Sequence, residues 1–176
     1  MKTGVALVGF MGTGKTAAGR ELAAKTGREF IELDALIEEK AGRSIPEIFR
    51  DDGEIAFREM EIEATAEVAR RKNAVIACGG GLVLNTINVD RLRKENVIIC
   101  LTAESSVILQ RTSGDTDGRP LLAVADRARQ IEELLRFRRP FYERAADSTV
   151  DTTDLTIERV VTKIMEELRT NAGNDT

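Results

Sequence analysis

A chain of 176 residues with 42% hydrophobic but only 4% aromatic content, and no Trp, has the material for one core resting on Ile, Val, Leu and Ala. Its net charge of −4 argues against a nucleic-acid binder held by a broad basic surface, while leaving room for a local basic pocket. The absence of histidine removes imidazole as base or metal ligand, so proton transfer falls to a carboxylate, Lys, Tyr, Cys or water.

Short β-like runs alternate with longer helical ones, the pattern of an α/β fold around a mainly parallel sheet. Gly4–Val8 is a continuous apolar run, as for a strand buried on both faces. That opening stretch is too short to span a membrane and carries no signal-peptide cleavage pattern, so a soluble, cytoplasmic protein is expected. A helix is expected over Thr13–Lys25, a strand over Phe30–Leu33 and a helix over Ala35–Ala41 that stops at Gly42. Ser44 with Glu47 forms a capping box for a short helix. Glu54–Arg71 reads as a long helix, Ala74–Cys78 and Val97–Leu101 as strands, and Glu104–Arg111 as a helix. The two cysteines, Cys78 and Cys100, lie in apolar runs and read as buried strand residues rather than as a disulfide or zinc framework. Residues 112–124 have the polar, glycine-containing composition of a lid. Asp126–Arg139 is a helix that Pro140 should kink or restart. Ser148–Val150 is a last short strand, and Ile157–Leu168 a helix with one apolar stripe. No repeat or linker divides the chain, so residues 1–169 are expected to form one domain, with a frayed polar tail over 170–176.

Gly9-Phe-Met-Gly-Thr-Gly14-Lys15-Thr16 fits the phosphate-binding pattern G-x-x-x-x-G-K-[ST], with a strand before it and a helix after it. Its glycines let backbone N–H groups turn inward around a phosphate at a helix N-terminus. Gly12, Thr13, Gly14, Lys15, Thr16 and Ala17 are therefore candidate ATP contacts. Lys15 supplies a point charge to the β- and γ-phosphates, and the Thr16 hydroxyl suits Mg²⁺.

Two arginines fall on apolar rows. Arg138 shares a stripe with Ile131, Leu134, Leu135, Phe141, Tyr142 and Ala145. Arg58 shares a row with Ile55, Ile62, Ala66 and Ala69. A buried guanidinium needs an anion, and a pair of them suits a substrate carboxylate; an internal salt bridge is the plainer reading of each. Asp34 follows the second strand at the end that faces the ligand crevice, where it can orient a hydroxyl and accept its proton, or simply cap the next helix. Gly79, Gly80 and Gly81 allow a backbone to approach a ligand closely. Arg119 in the lid segment can close on a γ-phosphate, or stand idle in an exposed loop.

In chain order, GFMGTGKT, LDALIEEKAGRSIPEIF, DDGEIAFRE, ACGGG, GRPLL, RRPFYERAA and VDTT together resemble the bacterial-type shikimate kinase family. The resemblance implies a three-layer P-loop NTPase fold, with a five-stranded parallel sheet flanked by helices and a lid loop. The substrate-binding region then spans about residues 33–61. It implies transfer of the ATP γ-phosphoryl group to the 3-hydroxyl of shikimate, on the route to chorismate and the aromatic amino acids. On this pattern Lys15, Asp34 and Arg119 look catalytic, and Arg58, Arg138 and Gly79–Gly81 look like the shikimate contacts. Arg111 falls near the adenine position. The partners are small molecules, ATP and shikimate, with Mg²⁺ as cofactor; no nucleic acid or membrane is implied, and a monomer is expected. One departure stands out: where the family has D-[ST]-D, this chain has Glu32-Leu33-Asp34, so the carboxylate linked to Mg²⁺ through water is one methylene longer. Rival readings are another small P-loop kinase, such as a gluconate or nucleotide kinase, and a non-catalytic sensor of shikimate or ATP.

Overall fold

The computed structural model describes residues 2–114 and 119–174. Five parallel strands form one sheet in the order β2-β3-β1-β4-β5: β1 (Gly4–Gly9), β2 (Glu29–Glu32), β3 (Ala74–Ala77), β4 (Asn96–Thr102) and β5 (Ser148–Asp151). The central strand β1 lies between β3 and β4, with Val5 opposite Val75 and Val97. Val5 and Leu7 enter one core and Ala6 and Val8 the other, which gives three layers. The helices α1 (Lys15–Thr26) and α8 (Ile157–Asn174) cover the first face through Ala18, Leu22, Val160, Val161 and Ile164. Across the other face pack α2 (Leu33–Ala41), α3 (Ile45–Asp51), α4 (Gly53–Val68), α5 (Thr86–Arg93), α6 (Ser105–Thr112) and α7 (Arg127–Ala145). Cys78 and Cys100 are buried and unbridged, as expected. Among the described residues no helix is long and apolar enough to cross a membrane.

Several expectations change in detail. The first helix opens at Lys15, because Thr13 and Gly14 belong to the loop and Gly14 has φ +90°. The second strand ends at Glu32, which takes the N-cap position of α2; Asp34 therefore sits in the first helical turn and caps nothing. Pro140 does not restart α7, which is continuous from Arg127 to Ala145. The bond it forgoes is the one to the carbonyl of Arg136, an exposed residue. The short α5 was not foreseen: only Val89 and Leu92 among its apolar residues are buried, too few for a visible period. The C-terminal helix runs to Asn174 instead of fraying from Thr170, whose hydroxyl donates to the Glu166 carbonyl. The expected lid segment contributes Thr112 to α6 and a single tight turn over Pro120–Leu122; its residues 115–118 lie outside the described ones.

Candidate active site

The site lies at the C-terminal ends of β1, β2 and β3, as two cavities that meet. The larger, of about 850 Å³, is lined by Gly12, Gly14, Lys15, Thr16, Ala17, Glu32 and Arg111. The smaller, of about 120 Å³, is lined by Arg58, Glu61, Gly79, Gly81 and Arg138, with Ile45, Phe49 and Phe57 as its apolar wall. Asp34, Gly80, Arg119, Met11 and Ile45 face both. A carboxylate and an arginine thus stand at the junction between a phosphate cradle and a pocket for a second molecule. A further cavity of about 740 Å³ lies behind Phe10, between α7 and the ends of β4 and β5. Glu104, Glu132, Arg136, Arg139 and Glu143 face it, and none of the P-loop glycines or the cleft arginines Arg58 and Arg138 does.

The P-loop is braced by its own side chains. Lys15 Nζ donates to Gly9 O and Phe10 O, both at 2.8 Å. Burial lowers the Lys15 pKa to about 8 against the pull of Asp34. The Thr16 hydroxyl donates to Glu32 Oε1 at 2.7 Å, and Arg20 lies 3.2 Å from Glu32 Oε2. Thr13, expected among the ATP contacts, turns its hydroxyl back onto Phe10 O and is absent from the lining of the phosphate cavity. Arg111 lines that cavity while its guanidinium holds Gly12 O, Thr152 O and the Thr152 hydroxyl.

On the acceptor side the glycines serve neighbouring side chains. A Cβ on Gly81 would stand 2.4 Å from Arg58 Nη2, and one on Gly79 would stand 2.8 Å from Asp34 Oδ1 and 3.1 Å from Glu61 Oε1. Gly80 packs near Met11 and Arg138, and its carbonyl accepts from the Tyr142 hydroxyl. Both of the facing carboxylate oxygens, Asp34 Oδ1 and Glu61 Oε1, are buried without a hydrogen-bond partner. Burial raises the pKa of each; Lys15 opposes this at Asp34 and Arg58 opposes it at Glu61.

The two arginines differ. Arg58 pairs with Glu61 at 2.9 Å and Glu54 at 3.1 Å. Burial works against its charge, but these carboxylates outweigh it and raise its pKa. Arg138 is 2% exposed, its Nε has no partner, and it makes no ion pair among the described residues. Its guanidinium carbon stands 5.6 Å from the centre of the Phe10 ring. The plainer reading, an internal salt bridge, thus holds for Arg58 and not for Arg138.

Arg58 reaches the cleft for a reason other than the expected row. Ile55 is 79% exposed, and the buried face of α4 is Phe57, Glu61, Ala64, Thr65 and Val68. The buried face carries a carboxylate, Glu61 at 1% exposure, which sequence reasoning missed. A Glu three residues after an apolar-row Arg is the signal that pointed to it.

Comparison with known proteins bears on the family and the fold. A family model described as shikimate kinase matches residues 11–169. A shikimate kinase of Caldanaerobacter subterraneus subsp. tengcongensis is 49% identical over 92% of this chain and 93% of that protein. A solved shikimate kinase from Acinetobacter baumannii in complex with shikimate superposes with TM-score 0.93 at 36% identity, covering 97% of this chain and 95% of that one. A gluconokinase from Sinorhizobium meliloti, at 21% identity and TM-score 0.61 over 98% and 95% of the two chains, shares the fold.

Proposed function

The chain belongs to the shikimate kinase family, and from that premise we propose how its own residues carry the reaction. It is an ATP-dependent kinase that transfers the γ-phosphoryl group of ATP to the 3-hydroxyl of shikimate, giving shikimate 3-phosphate and ADP. The observation that carries the roles is the shared lining: Asp34 and Arg119 face both cavities, between Lys15 on one side and Arg58 and Arg138 on the other.

Arg138, a buried cation with no ion pair among the described residues, takes the shikimate carboxylate by charge-assisted hydrogen bonds, and Arg58 assists while Glu61 fixes its guanidinium. Asp34 Oδ1, free of any competing hydrogen bond, accepts one from the 3-hydroxyl, aligns that oxygen on the γ-phosphorus and takes its proton. The raised pKa of this carboxyl makes it a better proton acceptor than an exposed aspartate. Lys15 and Arg119 face the charge that spreads over the transferring group, so positioning and electrostatics do most of the work. Gly79, Gly80 and Gly81 bring the strand end close to the acceptor, and Met11, Ile45, Phe49 and Phe57 shed water from it.

Magnesium fits the phosphate side. The Thr16 hydroxyl gives its hydrogen to Glu32, so its oxygen lone pairs are left for a cation. Thr16 would hold the ion directly and Glu32 through water. No cluster of three carboxylate, Cys or His ligands occurs among the described residues, and an ion shared with nucleotide phosphates needs none. When bound, it neutralises charge on the β- and γ-oxygens. We propose further that it works as a cytoplasmic monomer.

ADP release by the purified protein with ATP and Mg²⁺, offered shikimate, gluconate or nucleoside monophosphates in turn, tests the reading. Release that depends on shikimate alone is expected. Release with gluconate alone would move the acceptor, and none with any acceptor would leave a sensor.

A further inference from the structure

Turning the N–H groups of the P-loop toward a phosphate leaves several of its carbonyls facing away, and each needs a donor. Two sets of donors supply them. Gly9 O and Phe10 O are held from within the loop, by Lys15 Nζ at 2.8 Å and by the Thr13 hydroxyl at 2.7 Å from Phe10 O. Gly12 O and Thr13 O are held from the far side of the sheet, by Arg111 Nη1 at 3.2 Å and by the Thr152 hydroxyl at 3.1 Å. These partners lie 99 and 139 positions away in the chain.

Thr152 is the point where this second set is anchored. It is 2% exposed and follows β5. Its N–H donates to Thr102 O at 2.8 Å, so it is fixed to the end of β4. Its carbonyl accepts from Arg111 Nη2 at 2.8 Å, and its hydroxyl accepts from Arg111 Nη1 at 3.0 Å. The single hydroxyl hydrogen is shared between Thr13 O and Thr102 O, the latter at 2.9 Å. One buried side chain thus ties together the P-loop, the end of β4, the last turn of α6 and the turn before α8.

We infer that Thr152 is a positioning residue for the phosphate site, locking the back of the P-loop to the sheet through Thr13 O and through Arg111. Lys15 must share its three hydrogens with the nucleotide phosphates once they arrive, which loosens its hold on Gly9 O and Phe10 O. Thr152 is absent from the lining of the phosphate cavity, so its contact with Thr13 O does not compete with the ligand, and Arg111, which does line that cavity, is held from behind at Thr152 O. They keep the loop in its receptive shape while Lys15 turns to the phosphates. The inference rests on the P-loop being the phosphate site and does not depend on which acceptor is used.

The test compares Thr152→Val, which keeps the shape and removes the hydroxyl, with Thr152→Ser, which keeps the hydroxyl. Direct titration with ADP and steady-state kinetics with both substrates are the readouts. The valine variant is expected to bind ADP about five- to tenfold more weakly and to raise KM for ATP alike, since Thr13 O loses its donor. Its KM for shikimate should stay within about twofold, and the serine variant should return ADP affinity to within about twofold of the parent. Unchanged ADP affinity in the valine variant overturns the inference. So does a parallel loss for ADP and shikimate with a lowered Tm, which marks a purely structural role. Should the valine variant not fold, Thr152→Ala takes its place under the same criteria, with serine again as the rescue. ADP affinity is read without an acceptor, so a failed shikimate assay and a failed Thr152 test remain separable.

Discussion

The phosphate side and the acceptor side of the cleft are built in opposite ways. The first is one unbroken stretch, Gly9–Thr16, whose working groups are backbone N–H donors and one lysine, braced by local contacts in front and by Arg111 and Thr152 behind. The second is assembled from the first turn of α2, the middle of α4, the glycines after β3 and the middle of α7, and its working groups are charged side chains. Backbone donors carry no net charge to bury, and the one buried cation on this side, Lys15, is held by Gly9 O and Phe10 O. The acceptor side holds Arg138, Glu61 and Asp34 in burial, a costly arrangement that a carboxylate ligand relieves. One side binds by shape and the other by unsatisfied charge.

The sharpest way to separate the two sides is at their junction. Asp34→Asn keeps the shape of both cavities and removes the proton acceptor. A fall in kcat of about 10²- to 10⁴-fold is expected, with ADP and shikimate affinities within a few-fold of the parent. Direct binding measurements beside kcat decide it: if affinity for shikimate falls as far as kcat, Asp34 is an anchor and not the base.

The arginine pair breaks the comparison next. Replacing either Arg58 or Arg138 by Met should weaken shikimate binding about ten- to a hundredfold, the worth of one charge-assisted anchor, and leave ADP binding alone. Their effects on folding should diverge. Arg58→Met leaves Glu61 buried without its partner and should cost about 1–3 kcal/mol. Arg138→Met removes a buried charge that makes no ion pair among the described residues, and Glu61, which also feels that charge, keeps Arg58, so denaturant midpoints should hold or rise. Adding Glu61→Gln to Arg58→Met should recover stability without recovering shikimate binding. Equal losses of stability at both arginines would mean that Arg138 has a partner of its own and that the cleft is not primed by charge.

Much of this design was legible in the sequence, and the limit has a physical cause. The phosphate side could be read because its parts are neighbours in the chain and each residue type has one reason to be there. The buried strands could be read for the same reason, as short apolar runs between helices. Arg138 was visible because a charge inside an apolar stripe is conspicuous. Glu61 was not, since α4 also carries Glu54, Glu59, Glu63 and Glu67, and one carboxylate among so many looks solvated. Its spacing of three from Arg58 is the one hint in the chain, and packing against the Gly79 backbone singles it out. Thr152 was hidden more deeply: a threonine in a short polar run has no periodicity, and its partners lie 41, 50 and 139 positions away.

The charge stored on the acceptor side should also show in pH dependence. Burial raises the Glu61 pKa above its ordinary value of 4.5, so the folded chain keeps a proton there that the unfolded chain releases. The stability this gives is complete below that value and is lost as pH rises through the raised folded pKa. Glu61→Gln has no such proton to lose. Tm measured from about pH 4.5 to 7.5 should therefore show the variant gaining on the parent as pH rises. A variant that instead falls behind would mean that pairing with Arg58 outweighs burial at this carboxylate.

The smallest expected effect lies on the phosphate side, where a longer carboxylate stands in the family's aspartate position. Glu32 touches no nucleotide in the proposed arrangement; it takes the Thr16 hydrogen with Oε1 and is steadied by Arg20 at Oε2. Its extra methylene lets it reach Thr16 from the end of β2 while remaining the N-cap residue of α2. Glu32→Ala frees the Thr16 hydroxyl to rotate, so that its oxygen no longer presents itself to the ion at all times. The Mg²⁺ concentration for half-maximal rate should rise several-fold, in keeping with one lost hydrogen bond of about 1 kcal/mol, while KM for shikimate stays put. Because the phosphate side is held by backbone, kcat at saturating Mg²⁺ should barely move. An unchanged Mg²⁺ titration would remove Glu32 from the site, and a large fall in kcat that Mg²⁺ cannot restore would show that this side, too, depends on a placed charge.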